Sequence, residues 1–176
     1  MVKGGASHSD SHYARRETPH FSVPRDGLIG RYEVRRKIGR GAFGTVFEAV
    51  SLRSGRVYAL KVIKPVRKYV ESAREEVVKL ETLREIDPKG RRFVRLYRSF
   101  DLQKNFVMVF ELLGISLHEL IRRNGSRGLS AKVVAAIARE ILKGLQILHE
   151  NRLVHTDLKV GSPAGQHNFL RFEALE

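Results

Sequence analysis

Four groups of residues in this chain have the types and the order that chemistry on a polyphosphate requires. Gly39-Arg40-Gly41-Ala42-Phe43-Gly44-Thr45-Val46 sets Gly39, Gly41 and Gly44 in a loop between two strand-like segments. Glycine lets a backbone come close to phosphate oxygens. Lys61 follows in Tyr58-Ala59-Leu60-Lys61, and Glu76 sits on a helical stretch beyond it. His155-Thr156-Asp157-Leu158-Lys159 comes last. A cation held between a carboxylate and the α- and β-phosphates orients a nucleotide. Asp157 would orient an acceptor hydroxyl and take its proton, and Lys159 would neutralise charge on the transferring group. The chemistry these residues suit is phosphoryl transfer.

Taken singly, each group has a plainer reading. The glycines make a hairpin turn, Lys61 is a snorkelling surface lysine, Glu76 is a solvated helix residue, and Asp157 with Lys159 is a surface pair. A G-x-G-x-x-G loop also opens dinucleotide-binding folds, where a helix follows it. Here Thr45 to Val50 continues as strand, so a hairpin arches over the phosphates instead. Four features in one order, at domain-scale spacing, make coincidence a poor account.

The elements that must position these residues follow from periodicity. Strands are predicted at Tyr32 to Ile38, Val46 to Val50, Val57 to Ile63, Phe93 to Phe100 and Asn105 to Phe110, with a turn at Leu102 to Lys104. On the third, Val57, Ala59, Lys61 and Ile63 share one face. A helix is predicted from about Lys68 to Glu85, where Val70, Ala73, Val77 and Leu80 recur on one side and Glu76 borders them. A carboxylate and a lysine on two facing apolar surfaces are natural mates, so Lys61 and Glu76 are expected to pair. Ser116 to Arg123 reads as a short helix and Asn124 to Gly128 as a loop. Ser130 caps a long helix running to about Glu150, with an apolar stripe of Val134, Ile137, Ile141, Leu145 and Leu148. The fold class is α+β: a five-stranded antiparallel sheet with one helix, then a hinge and a helical stub. With the hinge between them, the sheet is not expected to cover that stripe.

The chain has 176 residues, enough for one ordinary domain, and 42% hydrophobic with 30% charged residues is globular composition. Residues 1–27 are polar and read as a disordered tail. No run is long enough to span a membrane, and no signal-peptide core is found. The absence of cysteine excludes disulfides and Cys-based metal sites, in keeping with an intracellular setting. Seven histidines show no metal-site spacing. The net charge of +14 favours acidic partners. The basic residues are dispersed without aromatic interleaving, which makes solvated faces a better account than direct nucleic-acid binding.

Residues 32–159 resemble the protein-kinase domain, chiefly its small lobe and the opening helices of its large lobe. Three stretches are similar to the LAMMER, or CDC-like dual-specificity, kinases. They are Lys68-Tyr69-Val70-Glu71-Ser72-Ala73-Arg74 leading to Glu76, Phe110-Glu111-Leu112-Leu113-Gly114, and His155-Thr156-Asp157-Leu158-Lys159. Thr156 stands where most kinases have arginine, a feature shared with the SR-protein kinases, so it does not separate those two groups. The resemblance implies ATP as phosphoryl donor, with Gly39, Gly41, Gly44 and Lys61 about its phosphates. It implies Ile38, Val46 and Ala59 as the roof of the adenine pocket and Phe110 as gatekeeper. Glu111 carbonyl and Leu113 amide become hinge hydrogen-bond partners, and Leu80 part of the spine behind Glu76. It further implies Lys61, Glu76, Asp157 and Lys159 as catalytic residues, Mg2+ as the metal, and Ser/Arg-rich splicing factors in the nucleus as substrates, phosphorylated on Ser/Thr and also Tyr.

The resemblance breaks after Lys159. The family pattern continues Pro-Glu-Asn-Ile-Leu, whereas this chain reads Val160-Gly161-Ser162-Pro163-Ala164. Ser162 stands where the metal-binding asparagine belongs, and no D-F-G aspartate follows. The expectation is a sequence truncated within the catalytic loop, inactive by itself, with residues 28–110 as small lobe, 111–159 as hinge and partial large lobe, and 160–176 as a poorly packed tail. Two rivals stand beside it: a non-catalytic fragment binding nucleotide or a partner, and a basic nucleic-acid-associated protein.

Overall fold

The computed structural model describes residues 21–156 and Leu158. Six strands form one antiparallel sheet: β1 (Leu28–Ile29), β2 (Tyr32–Arg40), β3 (Gly44–Ser51), β4 (Val57–Ile63), β5 (Leu96–Leu102) and β6 (Asn105–Glu111). They lie in the order β1-β2-β3-β4-β6-β5, so β4, which carries Lys61, is interior. Helix α1 (Arg67–Ile86) connects β4 to β5. Beyond β6 come α2 (Leu117–Arg123) and α3 (Ala131–Glu150).

The five strands read from periodicity are present, and the sixth corrects that count. β1 is two residues long, too short to show alternation. It forms because Gly30, at φ +60°, opens a two-residue loop that sets Ile29 opposite Tyr32. The strand expected from Phe93 starts at Leu96 instead. The Asp87 carboxylate holds the preceding stretch as a turn by accepting the backbone N–H groups of Arg91, Arg92 and Phe93 at 3.2, 2.7 and 3.2 Å.

Alternation along the strands fills two cores, one on each sheet face. On the inner face Val46, Ala59, Ile63, Met108 and Phe110 meet Ala73, Leu80 and Leu83 of α1. On the outer face Phe47, Ala49, Leu60, Val62, Val107 and Val109 form the second core with Ile29 and Tyr32. Phe21 and Val23 pack against this second core, and the Phe21 ring meets Phe47 edge-on at 6.1 Å. The reading of residues 1–27 as one disordered tail therefore does not extend over these two side chains.

Ser116 and Ser130 cap α2 and α3, accepting the N–H of Glu119 at 3.1 Å and of Val133 at 3.4 Å. The expectation that the sheet leaves the α3 stripe bare fails at one end. Leu148 is buried in the inner core, and Ile141 and Leu145 pack against it. The Asp87–Phe93 turn brings Phe93 to this junction, and Arg92 forms an ion pair with Glu140 of α3. At the opposite end Val134 remains 51% exposed.

Candidate nucleotide site

Lys61 and Glu76 meet as their placement on facing surfaces implies. Lys61 Nζ donates to both carboxylate oxygens, at 2.9 Å to Oε1 and 2.8 Å to Oε2. The side chains retain only 6% and 11% of their accessible surface. Two charges taken this far from water need such a partner, because an isolated buried charge costs several kcal/mol. Strand pairing fixes one member: Lys61 lies opposite Val46 on β3 and Met108 on β6. Helix periodicity fixes the other: Glu76 shares the buried face of α1 with Ala73, Leu80 and Leu83.

The glycine loop is the β2–β3 hairpin. Gly39 pairs with Val46, which pairs with Lys61, so loop base and lysine lie in one cross-strand row. Gly41 N–H donates to Gly44 O at 2.9 Å across the tip. A Cβ on Gly44 would stand 2.2 Å from the Val62 carbonyl oxygen, a contact no side chain tolerates. Glycine is thus required there for close strand approach. Phe43 O accepts the Lys64 N–H at 2.9 Å, tying the loop to the end of β4. The Phe43 ring meets Tyr69 of α1 edge-on, 5.2 Å between centroids at 81°.

The remaining residues implied for nucleotide contact divide by position. Val46, Ala59 and Phe110 are buried in the inner core, and Ile38 packs against it. Ala59 and Phe110 are cross-strand partners. Glu111 ends β6; its N–H donates to Arg95 O at 3.0 Å and its Oε1 accepts the Arg95 N–H at 2.8 Å. Leu113 is half-buried in the irregular stretch that follows, where the hinge was placed. Asp157 and Lys159 lie outside the described residues. Their neighbours His155, buried, and Thr156, at φ +60°, end the continuous description. For a β-branched residue that left-handed backbone is strained, by about 1–3 kcal/mol.

Among the described residues no group of three or more His, Cys, Asp or Glu could hold a metal ion. The catalytic-loop positions from Lys159 onward, Ser162 among them, lie outside the described residues. The described groups do suit a nucleotide's phosphates, through a buried lysine with its carboxylate beside a loop built on glycine.

Two contacts escaped sequence reasoning. Arg74 Nη2 reaches Asp101 on β5, and the Asp87 carboxylate organises the turn after α1. Burial pushes the Asp87 carboxyl up, but the N–H groups of Arg92, Arg91 and Phe93, with the Arg92 charge, outweigh this and hold it below its ordinary value. An aspartate just past a helix is a cue to such a turn, though nothing in the sequence names its donors.

The sequence matches the protein kinase domain over residues 32–162. It is 38% identical over 141 residues to dual specificity tyrosine-phosphorylation-regulated kinase 3 of Macaca fascicularis, covering 80% of this chain and 25% of that protein. To serine/threonine-protein kinase AFC1 of Arabidopsis thaliana the identity is 37%, over 76% of this chain and 29% of that one. To dual specificity protein kinase CLK1 of Homo sapiens it is 39%, over 76% and 28%. A crystal structure of a kinase domain aligns with TM-score 0.74 and 34% identity, covering 80% of this chain and 41% of that one. The chain spans about a quarter of the length of these curated relatives. A six-stranded antiparallel sheet with α1 docked on its inner face, a buried lysine–glutamate pair and this sequence match lead to one assignment: the chain belongs to the protein kinase domain family.

Proposed function

We propose that this chain is the nucleotide-binding part of a dual-specificity-type protein kinase, one that transfers the γ-phosphoryl of ATP to Ser/Thr, and also Tyr, of Ser/Arg-rich nuclear proteins. The observation that carries the reading is the buried, two-pronged Lys61–Glu76 pair one hairpin away from the glycine loop. Lys61 held by Glu76 can orient the α- and β-phosphates, while the glycine loop supplies backbone N–H groups above them. Val46, Ala59 and Phe110 offer an apolar surface against adenine. The substrate class and the nuclear setting rest on the LAMMER-like stretches alone.

The 176-residue polypeptide is proposed to bind nucleotide without transferring phosphoryl, because Ser162 stands where the family pattern has its metal-binding asparagine. Losing metal-held electrostatic stabilisation costs on the order of several kcal/mol, or thousands-fold in rate. The test is titration of the purified chain with a fluorescent ATP analogue, alongside labelling of a Ser/Arg-rich peptide. Saturable binding that Lys61→Met abolishes, with no labelling, is the expected result. Labelling that Asp157→Asn abolishes would refute the inactivity. Absence of nucleotide binding, together with steeply salt-dependent RNA binding, would favour the basic nucleic-acid reading.

A further inference from the structure

We propose that Tyr69 is a positioning residue that couples the glycine loop to helix α1, so that loop closure and docking of Glu76 on Lys61 favour one another. The loop tip is held twice. Its backbone is tied to the β4–α1 connection, where Phe43 O accepts the Lys64 N–H at 2.9 Å. Its side chain is tied to the helix itself, where the Phe43 ring meets Tyr69 at 5.2 Å and 81°. That edge-to-face geometry is attractive beyond simple burial. Tyr69 in turn packs against the inner core that holds Val46 and Ala59.

The first turn of α1 needs such a hold. Val66 at its N-cap makes no side-chain hydrogen bond, and the turn contains no acidic residue. Arg67 and Lys68 instead place cations at the positive end of the helix dipole. A start without a side-chain cap and of the wrong charge frays unless tertiary contact opposes it. Tyr69 lies in that turn, two turns before Glu76. A contact that stabilises the turn only while Phe43 is in place makes each element's order depend on the other, and such coupling is reciprocal.

The test begins without nucleotide, by amide hydrogen exchange on the full chain. Tyr69→Ala is expected to speed exchange of the Lys64 N–H, and Phe43→Ala that of the Val70 N–H, each about two- to tenfold. Phe43 is 42% exposed, so Phe43→Ala reads the coupling even if Tyr69→Ala folds poorly. The double variant should add nothing further at either amide, Tyr69→Phe should behave as wild type, and β6 amides should not change. Unchanged Lys64 and Val70 amides, or an equal rise throughout β6, would overturn the coupling. A second arm rests on the nucleotide reading: ADP should protect the Val70 amide in wild type and fail to do so in Phe43→Ala. If wild type binds no ADP, that reading fails, while the nucleotide-free exchange still decides the coupling.

Discussion

Arg74 on α1 and Asp101 on β5 are joined by a single guanidinium nitrogen, Nη2, which donates to both carboxylate oxygens at 2.8 and 3.0 Å. The same guanidinium lies 4.5 Å from the centroid of the Phe106 ring. This fastens the helix to the β5–β6 hairpin two residues before Glu76. Both partners are more than half exposed, so solvent screening keeps the ion pair weak, and the ring contact adds a comparable amount. Arg74→Ala should lower unfolding free energy by about 1 kcal/mol in urea titration. Asp101→Asn should cost less, because it leaves the contact with Phe106. Equal losses from both would mean that the ring contributes nothing.

Breaking the buried pair should cost more than removing it whole. Lys61→Met takes the cation from a carboxylate that stays buried, and about 3 kcal/mol of stability should go with it. Adding Glu76→Leu should recover most of that loss, since apolar side chains of similar size suit the site. Nucleotide affinity should be lost in both variants. Denaturant midpoints and the fluorescent titration together separate the two effects.

Gly44 and Gly114 should respond differently to alanine. At Gly44 the added methyl meets the Val62 carbonyl oxygen at 2.2 Å, whereas at Gly114 nothing lies within 4 Å. Gly44→Ala must push β3 away from β4 and should cost about 2–3 kcal/mol, as overpacking does. Gly114→Ala should leave stability within about 0.5 kcal/mol of wild type. Thermal unfolding of the two variants in parallel would expose a Gly44 that tolerates the methyl.

Stability should fall in acid partly through Asp87. Its folded-state pKa is lowered from 3.8, chiefly by three N–H donors acting against desolvation. A lowered carboxylate stabilises the fold above its unfolded pKa, and that contribution vanishes as pH falls through the folded value. The loss belongs below about pH 4. Asp87→Asn should be destabilised at pH 7 by about 1–2 kcal/mol, and the gap from wild type should close towards pH 2. A gap independent of pH would remove the carboxylate's charge from the account.

Lys61 was legible in the sequence because one lysine interrupts an apolar strand face, and Glu76 because it borders a helical stripe. Both signals are local periodicities. The covering of the sheet's outer face was not legible, because Phe21 and Val23 lie in a polar stretch and pack against residues of strands distant in sequence, as Phe21 does against Phe47. The junction at Leu148 failed for a related reason. It shares the inner core with Phe93 of the Asp87–Phe93 turn, whose shape is set by one carboxylate rather than by any repeat. Asp157 and Lys159, legible as parts of a five-residue motif, lie outside the described residues.

A sheet with a core on each face need not unfold when one face is bared. Should α1 lift away, Ala73, Leu80 and Leu83 leave the inner core, while Leu60, Val62, Val107 and Val109 keep every outer-face neighbour. Separation of Glu76 from Lys61 is then a local opening, with a free energy below that of global unfolding. The strand that carries Lys61 remains paired on both edges throughout. Whatever displaces the helix therefore disarms the site reversibly, leaving behind a folded platform onto which the helix can return.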